Sequence, residues 1–458
     1  MLIQSCAVSK QDTNSYYNER NVNKIVANIK RPTDSKNVVE LNSFNPDKTG
    51  KTDARPAFLK ALQIIEAEKG GILIVKAGNY RLDGALHLGN NLHLKLEKGV
   101  ILNFTPDAKF YLPAVKVCWE GTVCWNYSPM VYAYRKKNII ISGQGIINGN
   151  GYDWSKDWRA KQKNDQNAIR KMGNDLTDEN TRVFANGQAD TDGDGIFEGD
   201  NTAHFLRPGL VHLFDCEQVL FAGNTFQNSP FWTMNFPFTD HLTLKDVTVR
   251  GGPLNDDGID PDSSHDVLIE NCDIDTHDDA ISIKAGRDQD AWQRGGAKNI
   301  VIRNCKLKSQ TNTFCIGSEM SGGVENVYIQ DCEMDGAEYA INLKSNLDRG
   351  GEVKNIYLKD LNINEVKKSV VNFTMAYHSW RGNDFPTKFS HIYIQNVKCE
   401  QANETAISIV GVEKSLISDV FLKNVVVKTA AKEVVLKFTN NIFFENVSVN
   451  GKKLSTNE

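Results

Sequence analysis

The sequence predicts an all-β fold: a single-stranded right-handed parallel β-helix (solenoid) with an N-terminal helix/strand cap. Three observations carry that prediction. First, one pattern recurs from Gln218 onward: apolar, any, apolar, two turn residues, apolar, any, apolar. It appears as HLTLKDVTV, DVLIENCDI, NIVIRNCKL, NVYIQDCEM, NIYLKDLNI, HIYIQNVKC, DVFLKNVVV and NIFFENVSV. The copies lie roughly 22 to 36 residues apart, within the range of solenoid repeats. Second, the second turn residue is always Asn or Asp: Asp246, Asn271, Asn304, Asp331, Asp360, Asn396, Asn424 and Asn446. These residues tolerate the left-handed backbone that a sharp bend between sheets requires, and stacked amides can bond along the axis. Third, an offset series, SPFWTMNF, NDDGIDP, HDDAISIK, TFCIGSE and YAINLKS, reads as one strand met again in successive coils. A β-propeller would need about 40 residues per blade and antiparallel turn signals, which this pattern lacks.

Taken in order, residues 1–36 are polar and Asn/Lys-rich and are expected to be loosely ordered. Within them LIQSC resembles the end of a bacterial lipoprotein signal, with Cys6 as the lipid acceptor. That reading implies a lipid anchor and an extracytoplasmic location (periplasm, outer-membrane surface or secreted). Residues 37–458 form one β-helix domain. Asp53 can cap a helix over about 54–69 with Phe58, Leu62 and Ile65 on one face, ended by Gly70-Gly71. The strands that follow, ILIVKAG, YRLDGALHL and LHLKLEKGVIL, complete a cap over one open end of the solenoid. YSPMVYAYRKKNIIISGQGIINGNG is the first clear coil, and residues 152–204 are an insertion. Its charge and its Trp154 and Trp158 read as a long surface excursion that roofs the cleft.

Composition narrows the function classes. The net charge of −4 does not suggest a nucleic-acid partner. No run approaches eighteen apolar residues, so no membrane span is expected. Of nine cysteines, Cys272, Cys305 and Cys332 fall at one repeat position and read as small apolar core residues. Cys118 and Cys124 could pair across WEGTV.

The chemistry concentrates in Asn255–Lys284. Asp256-Asp257 and Asp278-Asp279 each lead into a short apolar strand. Rungs about 4.8 Å apart would set Asp257 beside Asp279. Carboxylates crowded in this way push their pKa values apart, as cleavage of a glycosidic bond requires. Two solvated Asp turns are the plainer reading; the placement of both pairs at the same point of successive coils argues against it. Asn312, Asn342 and the cations Lys284 and Lys344 lie along the same stripe. Asp190, Asp192 and Asp194 before Gly195, with Glu198 and Asn201 beyond, resemble a calcium loop whose closing residue is Asn. Such an ion would be structural, and no cofactor is otherwise required.

These motifs resemble the polygalacturonase family, glycoside hydrolase family 28, from about Val38 to Gly451. Asn255-Asp256-Asp257 matches the family's Asn-x-Asp, and His277-Asp278-Asp279 keeps both carboxylates of its Gly-Asp-Asp. RPGLVHLFDC, NSPFWTMN, SIKAGRDQDAW and GSEMSGGVENVYIQDC are close to bacterial members. The family His falls on Asn312 and the family Arg on Asn342, with Lys344 retained. The resemblance implies an inverting hydrolase of an acidic, galacturonate-containing or related polysaccharide or oligosaccharide. Asp278 would be the general acid, and Asp257 and Asp279 would orient and deprotonate water. Asn255, Lys284, Arg287, Trp292, Asn312, Glu319, Asn342, Lys344 and Arg349 are the candidate substrate contacts. Loss of the Arg fork, which one Lys cannot replace, points away from unmodified polygalacturonate as the best substrate. The insertion suggests cutting from a chain end. The alternatives are a polysaccharide lyase, which would use a basic residue and give an unsaturated product, or an inactive glycan-binding protein on the same solenoid.

Overall fold

The computed structural model describes residues 17–186, 189–200, 202–378 and 381–455. Parallel strands return turn after turn to three stacked sheets, as the repeat pattern requires. In one sheet Leu94, Ile141, Phe221, Leu244, Ile269, Ile302, Ile329, Leu358, Ile394 and Leu422 lie in register on neighbouring rungs. All of them are buried, because alternation along each strand turns this set inward. Cys272, Cys305 and Cys332 are buried in the core as expected.

All eight predicted turn residues have positive φ, between 52° and 56°. Several of their amides bond along the axis: Asn424 Nδ2 donates to Asn396 Oδ1 (2.9 Å) and Asn446 Nδ2 to Asn424 Oδ1 (2.8 Å). Asp331 and Asp360 have no amide to donate, and they interrupt the chain. A second ladder, Asn355 to Asn326 to Asn299 to Asp266, lies at another corner and was not anticipated.

Within residues 17–36, the described part of the segment expected to be loosely ordered, the chain instead forms helix α1 (Glu19–Asn28). Its Val22 and Ile25 pack on Leu268, Val301 and Tyr328 on the outside of the coil. An amphipathic face finds an apolar strip, and that outweighs the polar composition. Cys6 lies outside the described residues. Helix α2 (Arg55–Ala67) forms the N-terminal cap, with Asp53 Oδ1 accepting from Arg55 N at 2.9 Å and Phe58 and Ile65 buried.

The insertion opens with α3 (Gly151–Trp158) and α4 (Lys163–Asn174). It is anchored rather than merely superficial: Trp154 is fully buried, stacking edge-on with Tyr111 and Trp158. It packs beside a hairpin, Val115–Trp119 with Thr122–Asn126. In that hairpin Cys118 faces Val123 and Cys124 faces Val117 across the register. The two thiols therefore alternate between faces, and every described cysteine is free. The expected pairing of Cys118 with Cys124 does not form. Among the described residues no helix is long and apolar enough to cross a membrane.

Candidate active site

The offset series is one sheet, as the sequence implied. Met234, Ile259, Ile281, Phe314, Ile341 and Val371 occupy one register line on successive rungs. Two residues earlier on three of these rungs stand Asp257, Asp279 and Asn312. Gly258 N donates to Asp279 O (2.8 Å) and Ala280 N to Asn312 O (2.8 Å), which locks the acidic residues side by side. One carboxylate oxygen from each of Asp257, Asp278 and Asp279 lies within 4.8 Å of the others.

Asp256 does different work from its neighbour. It is fully buried and accepts from His277 N (3.0 Å) and Asp278 N (2.9 Å), so it pins the backbone that aims Asp278. Gly251 permits this: a Cβ there would lie 2.2 Å from Asp256 Oδ2. Asn255 bridges Arg207 Nη2, from which its Oδ1 accepts at 2.8 Å, and Asp278 Oδ2, to which its Nδ2 donates at 3.3 Å.

The environments separate the three acids. Burial, then the neighbouring Asp279 charge, raises the pKa of Asp278 against the pull of Lys344 and Lys284. Burial would raise Asp279 as well. Lys344 and Lys284 outweigh it, helped by hydrogen bonds from Lys344 and Asn312, and hold this carboxylate below its usual range. Lys344 Nζ lies 2.8 Å from Asp279 Oδ2. Asp257 is pushed well up by burial and by Asp278, Asp260 and Asp279, with Lys284 Nζ opposing from 3.1 Å. Both lysines are almost wholly buried, so they are counter-ions of the site rather than surface pairs. The ring faces of Trp232 and Tyr377 back their ammonium groups at 4.5 and 5.0 Å.

The acids open into a cavity of about 430 Å³. Asn255, Lys284, Arg287, Glu319, Lys344 and Arg349 line it, as the sequence suggested. Three candidates do not. Asn312 sits beneath Asp279 as its donor, and Asn342 Nδ2 donates back to Asn312 Oδ1 at 2.7 Å. Both belong to an amide chain that Asn372 continues (2.9 Å). Trp292 is turned away, its Nε1 donating to Arg349 O (2.8 Å) and its ring edge-on to Phe385.

The insertion does border the cavity, as its reading as a roof implied, but the residues it contributes were not named from the sequence. Glu120, from the hairpin, and Lys163, Gln166 and Arg170, from α4, line the same cavity as the acids, together with Tyr377 and His378. Arg170 Nη2 donates to Glu120 Oε2 (2.7 Å), and Arg287 Nη1 donates to Glu319 Oε1 (2.9 Å). The insertion's charge and place in the chain were the only signals pointing to this wall.

Asp190, Asp192 and Asp194 do converge, one oxygen each within 4.8 Å of one another. These carboxylates accept from the backbone N–H groups of Gly193, Asp194, Gly195 and Ile196, while Glu198 is engaged by Thr191. Asn201, the expected closing residue, lies outside the described residues.

Residues 172–449 match the family described as glycosyl hydrolases family 28. The chain is similar to an endo-polygalacturonase of Pectobacterium parmentieri, 25% identical over 92% of this chain and 94% of that one. It is also similar to a probable polygalacturonase of Vitis vinifera, 24% identical over 88% of this chain and 76% of the relative. Among solved structures, a hyperthermoactive exopolygalacturonase from Thermotoga maritima is 30% identical with a TM-score of 0.87, covering 95% of this chain and 97% of that one.

Proposed function

The chain belongs to glycosyl hydrolases family 28, and on that premise we propose that it removes sugar units from the ends of a galacturonate-containing chain. The observation that carries the reading is the convergence of Asp257, Asp278 and Asp279 in a cavity where Lys163, Arg170, Lys284, Arg287, Lys344 and Arg349 outnumber the further acids Glu120 and Glu319. Asp278, the partly exposed acid with the raised pKa, protonates the leaving oxygen. Asp279 stays ionised beside Lys344 and takes the proton of the attacking water, which Asp257 helps to orient. Inversion at the anomeric carbon follows from the family reading, since oxygens this close do not by themselves select it.

The lost family Arg does not leave the cavity without guanidinium groups. Arg170, Arg287 and Arg349 all line it and can receive a sugar carboxylate, Arg with bidentate geometry. Galacturonate therefore stays the preferred sugar, in place of the neutral or modified unit that Asn342 alone suggested. Action at a chain end is supported by α4, which walls one side of the cavity, and by the Thermotoga relative's exo activity. A polymer too large to enter a cell intact puts the work outside the cytoplasm.

Chromatography of the products tests the reading. One short product, either monomer or dimer, should accumulate from the first minutes of polygalacturonate digestion, with the anomer opposite to the linkage cleaved. A ladder of intermediate lengths at early times would refute chain-end action, and an unsaturated product absorbing in the ultraviolet would refute hydrolysis.

A further inference from the structure

One side chain ties the insertion to the acidic stripe. Arg207, between the insertion and the strand Val211–Phe214, is fully buried. Its Nε donates to Gln162 Oε1 (2.9 Å), just ahead of α4, and its Nη1 to Pro230 O (2.7 Å) and Leu254 O (3.1 Å). Its Nη2 donates to Asn255 Oδ1 (2.8 Å), and Asn255 Nδ2 donates in turn to Asp278 Oδ2 (3.3 Å). We propose that Arg207 is a positioning residue for Asp278, acting through the Asn255 amide. The inference rests on reading Asp278 as the general acid.

The direction of the relay is the first support. An arginine can only donate, so the Asn255 oxygen must face Arg207 and its N–H must face Asp278. Asp278 Oδ1 accepts from Asp279 N (3.0 Å), with the Thr311 hydroxyl 3.2 Å away. That leaves Oδ2 to carry the transferable proton. The Asn255 N–H takes one lone-pair direction of Oδ2 and so holds the proton to the other.

The chemistry of the buried cation is the second support. All four of its acceptors are neutral oxygens, so no counter-ion offsets the solvation it has lost. Burial, then Arg159, lowers Arg207 to about 10 against the pull of Glu120 and Asp256, so it is still charged near neutrality. For stability alone an apolar side chain of similar size would serve. The cation does more: it polarises the amide, and a polarised N–H favours the carboxylate that Asp278 becomes once its proton has left. Other charges act on Asp278 directly. Asp279 and Asp256 raise it, Lys344 and Lys284 lower it, Asp257 shares its cluster, and His277 pairs with Asp256 at 3.3 Å. Glu120, Lys163, Arg170, Arg287, Glu319 and Arg349, with Tyr377 and His378, line the same cavity. A change at Arg207 keeps all of these groups.

The test is the pH dependence of kcat and KM for the full chain on polygalacturonate. Arg207→Gln should move the alkaline limb up by about one pH unit, because loss of the cation favours the protonated acid. It should lower kcat by about 10–100-fold through misplacement of the proton. KM should hold within about twofold, since Arg207 is fully buried and meets the acid only through Asn255. Arg207→Lys keeps the charge, so it should bring the limb back towards the wild-type position. Asn255→Ala, at a partly exposed site, breaks the same relay and reports even where Arg207→Gln does not fold. Its limb should rise by the same amount, and adding Arg207→Lys should move it no further. A limb left in place by Asn255→Ala and by the Arg207 variants, or a change confined to KM, would overturn the relay. An alkaline limb that survives in Asp278→Asn would overturn the acid reading itself. A limb that Asp278→Asn removes and these variants leave unmoved would overturn the relay alone.

Discussion

Asp278→Asn is expected to lower sugar release by about 10²–10⁴-fold, the usual range for a positioned general acid. The fold should be unaffected, because the backbone around residue 278 is held by other groups. Asp256 accepts from Asp278 N, and Thr276 and Ser309 hydroxyls donate to Asp278 O at 2.6 and 2.7 Å. An amide at this position keeps the shape and loses the transferable proton. The same assignment sets the pH profile. The Asp278 pKa is raised, and the acid must be protonated to act, so kcat/KM should fall as pH climbs through that raised value. The Asp279 pKa is lowered, and the carboxylate must be ionised to activate water, so the acid-side decline should begin only below the ordinary carboxylate range. In Asp278→Asn the alkaline limb should vanish from the residual activity. A variant with the wild-type rate, or one that keeps an unchanged alkaline limb, would remove Asp278 from its role.

Lys344→Met should cost about 3–5 kcal/mol of stability and most of the activity, since it leaves the Asp279 carboxylate buried without its counter-ion. The replacement fills a similar volume, so the loss reports charge rather than a cavity. The pH dependence follows from both partners. Asp279 is depressed in the folded protein, so its contribution to stability is present above the unfolded pKa and disappears as pH falls through the folded one. Lys344 is raised well above its usual value, so its contribution is full below the unfolded pKa and is lost only as pH rises through the folded one. Removing the lysine should therefore narrow the gap between wild type and variant at low pH, where Asp279 takes up a proton. Urea unfolding at several pH values measures this. A midpoint unchanged near neutrality would mean that Lys344 does not carry the buried charge.

The rungs and their order were legible in the sequence because a solenoid is locally encoded. Each coil repeats its own alternation and its own Asn or Asp at the bend, so the eight turn residues, the register of Asp257 with Asp279 and the stacked cysteines all followed from spacing. The helix at residues 19–28 was not legible because composition says nothing about a partner strip: α1 packs on Leu268 and Val301, more than 200 residues away. The Cys118–Cys124 pairing was misread because the hairpin register sets the two thiols on opposite faces.

The sequence by itself determined the coil, the acidic stripe and the residue types available for catalysis, since all of these depend on contacts between neighbouring turns. Tertiary structure decided which of the candidate side chains meet the substrate space and which unnamed ones join them. It turned Asn342 into a link of an amide chain, moved Trp292 to the outside, and brought Glu120 and Arg170 into the cavity that Asp278 lines. The physical reason is that those walls come from an aperiodic insertion and hairpin. Their placement rests on aromatic anchoring and buried ion pairs between distant segments, and no repeat announces such contacts.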